Sequence, residues 1–177
     1  MKSERNKKMN NPIIKITVKD YGTITAELYP SKAPETVKNF TELAKKDFFS
    51  GLIFHRVIPG FMIQGGGYTE DFSEKKTKSI KGEFAANGFP GNDIPHKRGV
   101  LSMARTMIPD SASSQFFIMH EDAPHLDRQY AAFGLVTEGI EVVDKIANVD
   151  TGRRGYFDDV PLSPVIIEKI EIEEKHD

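Results

Sequence analysis

The stretch that most limits how this chain can fold runs from Phe54 through His55, Arg56, Val57, Ile58, Pro59, Gly60, Phe61, Met62, Ile63 and Gln64 to Gly65, Gly66 and Gly67. Its aromatic and β-branched halves flank Pro59-Gly60, which reads as strand, turn, strand. Strand parity places Arg56 on one face with Phe54 and Ile58, and Met62 on one face with Gln64. A guanidinium stays charged in a protein and is costly to bury unpaired, so an arginine inside this run asks for a function.

The surrounding chain supplies a β-rich frame. Ile14, Ile16 and Val18 alternate with polar residues, Asp20-Tyr21-Gly22 turns the chain, and Ile24, Ala26 and Leu28 resume the pattern up to Tyr29. This predicts an opening hairpin. A helix is expected from Ser31 to about Asp47, capped by Ser31, with Pro34 in its first turn and Val37, Phe40, Leu43 and Ala44 on one side. Tyr68 to Gly99 reads as a long irregular segment, and its lysines as a solvated face. Strands are expected over Gly99 to Ala104, Gln115 to Met119, Tyr130 to Val136 and Val165 to Ile172. Arg105 to Ser114, Asp122 to Gln129 and Gly152 to Pro161 read as turns and loops, and Ile140 to Ala147 as a second helix.

Nothing divides the chain into two folding units. The reading is a basic N-terminal arm, residues 1–11, frayed and solvated, followed by one domain over residues 12–177. The arm lacks the apolar core of a secretory signal, and no later stretch approaches a membrane span, so a soluble cytoplasmic protein is expected. With no cysteine and a net charge of −2, there is no disulfide framework, no thiol nucleophile and no general attraction to nucleic acid. About eight short strands and two helices favour a mostly β fold, with an antiparallel sheet closed into an eight-stranded barrel and helices plugging its ends.

Familiar chemistries fit poorly. The histidines show no HExxH spacing, and without cysteine a zinc site would need carboxylates, so no metal is expected. Ser102, Ser111, Ser113 and Ser114 lack a Gly-x-Ser-x-Gly elbow. The triple glycine lacks the Lys-Ser/Thr of a phosphate loop, and tight backbone geometry explains it better. What remains is Arg56, Phe61, Met62, Gln64, Gln115, Phe117 and Leu126. Taken singly, Met62 and Phe117 could be core and the two glutamines edge amides. Together they describe an apolar dish with one cation and two neutral amides, Gln115 and Phe117 sharing a face while Phe116 and Ile118 point to the core. Such a dish suits rotation about an X-Pro bond, whose barrier of ~18–20 kcal/mol comes from amide resonance. As the bond twists, the imide nitrogen regains its lone pair, and a cationic donor kept dry beside it is favoured only then.

These residues resemble the cyclophilin-type peptidyl-prolyl cis-trans isomerases. The resemblance rests on the segment from Phe54 to Gly66, on Leu101-Ser102-Met103-Ala104, on Ser114-Gln115-Phe116-Phe117-Ile118, and on Phe133-Gly134 with the helix after it. It implies a barrel closed by two helices, no cofactor, and Arg56 as the catalytic cation with Phe61 and Gln64 beside it. It implies that Phe61, Met62, Phe117 and Leu126 form the proline pocket, with Ala104, Arg105, Thr106, Gln115, His125 and Tyr130 along the substrate groove and His55 in support. The best-known eukaryotic members carry a tryptophan where this chain has His125 and a histidine where it has Tyr130. The Arg105 to Pro109 segment also differs from theirs, being closer to bacterial-type members. Cyclosporin binding is therefore expected to be weakened, while activity on proline-containing peptides and unfolded chains survives. A monomer that needs no cofactor is the expectation; a proline-segment binding module or holdase without turnover is the alternative.

Overall fold

Alternating apolar residues build the opening hairpin where the pattern places it. In the computed structural model, which describes residues 11–173, β1 (Ile13–Val18) and β2 (Gly22–Leu28) pair antiparallel from Ile13 opposite Glu27 to Val18 opposite Gly22. Ile14, Ile16, Val18, Ile24, Ala26 and Leu28 all turn into the core. The expected arm over residues 1–11 lies outside the described residues except for Asn11, whose amide donates to the Glu27 carboxylate at 3.1 Å.

The later strands are β3 (Arg56–Ile58), β4 (Met62–Gly65), β5 (Val100–Met103), β6 (Phe116–Met119), β7 (Ala132–Glu138), β8 (Thr151–Arg154), β9 (Phe157–Pro161) and β10 (Ile167–Glu173). Of the ten strands among the described residues, eight form one antiparallel sheet in the order β10-β1-β2-β7-β5-β6-β4-β3. The expected closed barrel is not formed by this ladder. β3 is three residues long and the segment before it is irregular, so that segment meets β10 only at Ile167, which exchanges backbone bonds with Gly51 and Leu52 at 2.8 Å, and no continuous ladder forms. The two ends meet through an isolated bridge, Ile53 to Ile166, and bonds such as Phe54 N–H to the Val165 carbonyl at 2.9 Å. The architecture is a curled half-barrel with two helices.

β8 and β9 correct the expectation of a loop over Gly152 to Pro161: they pair as a separate hairpin. Arg153, Arg154, Tyr156 and Asp158 are all exposed, so the segment lacks the period-two alternation that announces a half-buried strand.

The first helix, α1, spans Pro34–Lys45, and α2 spans Ile140–Ala147. Ser31 does not cap α1. A turn through Tyr29 to Ala33 comes first, and the N-cap residue, Ala33, has no side-chain acceptor. The buried Glu83 carboxylate does the capping from the irregular segment, accepting Glu35 N–H at 3.1 Å, Thr36 N–H at 2.8 Å and the Thr36 hydroxyl at 2.7 Å. An anion at this end also complements the helix dipole. Val37, Phe40 and Leu43 of α1 and Val142, Val143 and Ile146 of α2 share one core cluster. Phe40 anchors it, with ring centroids 5.0 Å from Phe49, 5.3 Å from Phe116 and 5.2 Å from Phe133. Among the described residues no helix is long and apolar enough to cross a membrane.

What positions the site is the alternation along β4 and β6. Ile63, Phe116 and Ile118 enter the main core, while Met62, Phe117 and Met119 face outward into a second, smaller cluster with Val100, Ala123, Leu126 and Ala132. The parity expected around Gln115 to Ile118 holds. Parity fails at Phe54, which lies in the main core while Arg56 is exposed, because β3 begins only at Arg56.

Candidate active site

A cleft of about 120 Å³ opens over the smaller cluster, lined by Arg56, Phe61, Met62, Gln64, Ala104, Arg105, Phe117, Leu126 and Tyr130. Register explains the gathering. Arg56 stands opposite Gln64 across the β3–β4 ladder, and Gln64 opposite Phe117 across β4–β6. Met62 and Phe117 are buried, Phe61 and Tyr130 are half-buried, and Tyr130 meets Phe117 edge-on at 5.8 Å. The result is an apolar floor with polar groups at one rim.

Three side chains form that rim. Arg56 Nη1 donates to Gln64 Oε1 at 3.3 Å, and Gln64 Nε2 donates to Gln115 Oε1 at 3.0 Å. Gln115 lies outside the cleft lining, against Gly67, where an added Cβ would sit 2.5 Å from the Gln115 side chain. Gly65 is equally constrained, its missing Cβ lying 2.6 Å from the Ile53 carbonyl. Close approach, not phosphate binding, accounts for these glycines. Arg56 corrects one expectation: its guanidinium is exposed, not dry. Its partner is a neutral amide, so it remains a cation facing the cleft.

The cleft's other arginine is engaged. Arg105 donates from Nε and Nη2 to the Gln129 carbonyl at 3.1 and 2.7 Å and from Nη1 to the Thr106 carbonyl at 2.9 Å. Its guanidinium carbon lies 4.7 Å from the ring centroids of both Phe84 and Tyr130. Arg105 therefore braces a wall, whereas among the described residues Arg56 has donors free for a ligand.

The family model for cyclophilin-type peptidyl-prolyl cis-trans isomerases matches residues 13–172. The chain belongs to that family. Among curated proteins, this cyclophilin is 50% identical over 157 residues to a peptidyl-prolyl cis-trans isomerase of Acinetobacter baylyi, covering 85% of this chain and 80% of that protein. It is 44% identical over 164 residues to peptidyl-prolyl cis-trans isomerase B of Escherichia coli, covering 88% and 96%. A solved cyclophilin-type isomerase of Cryptosporidium parvum superposes with TM-score 0.77 at 28% identity, covering 94% of this chain and 99% of that one. The same protein solved in the presence of the dipeptide Ala-Pro gives 0.76 at 28% identity, covering 92% and 99%.

Several expected groove residues of the cyclophilin lie off the cleft lining. His55 is buried on the far side, 4.7 Å from the Tyr68 ring and 6.2 Å from Phe157. Its Nδ1 has no hydrogen-bond partner among the described residues. Burial, assisted by the Arg56 charge, lowers its pKa to about 4. Thr106 is exposed and tied to Ser111, its N–H and hydroxyl each 2.9 Å from Ser111 Oγ. His125 stacks on Phe61 at 5.9 Å from the outside.

A buried chain of polar groups behind Phe117 escaped the sequence reading. His96 Nε2 lies 2.8 Å from Ser102 Oγ, and His96 Nδ1 lies 3.2 Å from Asp127 Oδ1. The order Ser, His, Asp imitates a hydrolase triad, but Ser102 and His96 are at most 1% exposed and no substrate reaches them. Burial lowers the His96 pKa despite Asp127. The neutral ring donates from Nδ1, accepts the Ser102 hydroxyl at Nε2, and lies 6.1 Å from the Phe117 ring.

Proposed function

We propose that the cleft accelerates rotation about X-Pro bonds, with Arg56 as the cation that acts in the twisted state. One observation carries this reading: Arg56 faces an apolar cleft with a single neutral partner among the described residues, at 3.3 Å, while Arg105 beside it is spent on backbone carbonyls. The proline ring lies over Phe61, Met62, Phe117 and Leu126, with Ala104 and Tyr130 at the sides. Gln64, steadied by Gln115, aims the guanidinium.

The planar amide nitrogen is a poor acceptor because its lone pair is delocalised, and rotation restores that pair. A donor pointed there therefore binds the transition state more tightly than either isomer, which is the requirement for catalysis. Water covers Arg56 in the free protein, so exclusion of solvent comes with the peptide. Once covered, the charged donor acts in a lower dielectric and strengthens. The reaction makes and breaks no covalent bond and uses no cofactor.

The substrates under this reading are proline-containing peptides and unfolded or partly folded chains, handled by a monomer. A holdase would use the same dish without needing the cation, so dependence of turnover on Arg56 separates the two. The test is a proline-limited peptide assay of the wild type and Arg56→Ala; equal rates would refute the assignment. Cyclosporin inhibition is expected to be weak, because His125 offers an exposed imidazole where an indole N–H is the family's donor. Blockade below about 100 nM, near −9.5 kcal/mol on the affinity scale, would contradict this.

A further inference from the structure

Phe61, one wall of the cleft, is carried by a turn instead of a strand. Gly60 adopts φ +80°, and Phe61 N–H closes the turn on the Ile58 carbonyl at 3.0 Å. Neither residue belongs to the sheet, so the place of the Phe61 ring depends on what holds the Gly60 N–H and the Phe61 carbonyl. His120 holds both. Gly60 N–H donates to His120 Nδ1 at 2.8 Å. The Phe61 carbonyl accepts from His120 N–H at 2.9 Å, with Glu121 N–H at 3.4 Å.

A backbone N–H can only donate, so His120 Nδ1 presents its lone pair and the ring proton resides on Nε2. That Nε2 lies 3.2 Å from Asp144 Oδ1 on α2. Asp144 is gripped by the Arg98 fork at 2.7 and 2.8 Å, which holds its carboxyl below the usual range. Arg98 Nη1 also reaches the His120 carbonyl at 3.0 Å. An imidazole with 12% of its side chain exposed thus connects the second helix to the turn bearing a cleft wall.

We infer that His120 is a positioning residue for the isomerisation, its neutral Nε2-protonated ring fixing the Phe61 turn and its protonated ring releasing it. This rests on reading the cleft as the X-Pro site. A second proton takes the Nδ1 lone pair and sets two donors face to face across the Gly60 contact. The charged ring is favoured by Asp144 and opposed by Arg98. Glu121 and Asp122 flank it on its own segment, Asp122 being engaged by Arg98 N–H at 2.8 Å. Acid therefore removes the bond that orders the turn without unfolding the sheet beneath.

Side-chain topology supplies the controls. Asparagine sets an acceptor oxygen at the Nδ1 position and does not titrate. Glutamine sets a donor near the Nε2 position and leaves Gly60 without its acceptor. In a proline-limited peptide assay carried from neutral into mildly acidic buffer, wild-type kcat/KM should fall on acidification. His120→Asn should stay near wild type at neutral pH and lose that acid dependence. His120→Gln should lose about fivefold at neutral pH, the equivalent of one turn hydrogen bond. The wild-type Gly60 amide resonance should shift with the His120 ring as pH falls. A Gly60 amide that ignores that titration, a His120→Gln enzyme equal to wild type, or a His120→Asn enzyme that keeps the acid dependence overturns the inference. A wild type indifferent to Arg56→Ala would instead sink the cleft assignment, and the Gly60 readout would still judge His120.

Discussion

Replacing Arg56 by alanine should separate stability from turnover, because the side chain is exposed and its one hydrogen bond among the described residues is long, 3.3 Å to Gln64 Oε1. Water can take its place at Gln64, and Gln64 keeps its bond to Gln115 at 3.0 Å. Surface substitutions of this kind shift stability by about 0.5 kcal/mol or less. For a chain of this length the melting temperature should move by no more than about 2 °C. Turnover should respond differently. A hydrogen bond from a charged donor is worth roughly 1.5–3 kcal/mol, and 1.36 kcal/mol is a decade in rate, so kcat/KM should drop about 10- to 150-fold. The loss should fall on kcat more than on KM, since the interaction forms as the bond twists. Arg56→Lys keeps the charge but loses the planar fork and should lie between the two. The assay is isomerisation of a proline-containing peptide at several substrate concentrations, beside a thermal melt of each variant. Unchanged kcat with raised KM would mean that Arg56 only binds. A rate loss matched by a large drop in melting temperature would mean that its role is structural.

Two further outcomes follow from the buried groups. Glu83→Ala strips three donors of α1 of their shared acceptor, at about 1–3 kcal/mol each for unsatisfied buried groups; a loss of at least roughly 3 kcal/mol should lower the melting temperature by about 6–12 °C, with Glu83→Gln falling between, and an unshifted melt would show that the cap contributes nothing. His55 has its pKa lowered to about 4 in the folded protein, against about 6.5 in the unfolded chain. The unfolded state therefore binds more protons between these values, so the stabilisation is full above about pH 6.5 and is lost as pH falls toward 4. The change is on the order of 3 kcal/mol. Denaturant melts across that window should show a slope in the wild type that is missing in His55→Phe; equal slopes would place the acid sensitivity elsewhere.

Sequence by itself went furthest where a residue's neighbours along the chain decide its surroundings. Alternation placed the β1–β2 hairpin, the outward Phe117 and inward Phe116 of β6, and the apolar stripes of both helices, because a strand or helix fixes side-chain direction through local geometry alone. The unusual company of Arg56, Gln64 and Phe61 pointed to the cleft because charge within an apolar run needs an explanation. Tertiary structure decided the remainder. Whether Arg56 was covered depended on where β3 begins, one residue after His55, and no propensity sets that boundary. The β8–β9 hairpin carries charge on its exposed strands and has no periodic signature. Glu83 caps α1 at Thr36, 47 residues away along the chain, and His120 meets Gly60 from 60 residues away. Those partnerships are made by the curvature that brings distant segments together. Hydrogen bonds act over about 3 Å in space and are blind to separation along the chain, so a single sequence leaves them unwritten.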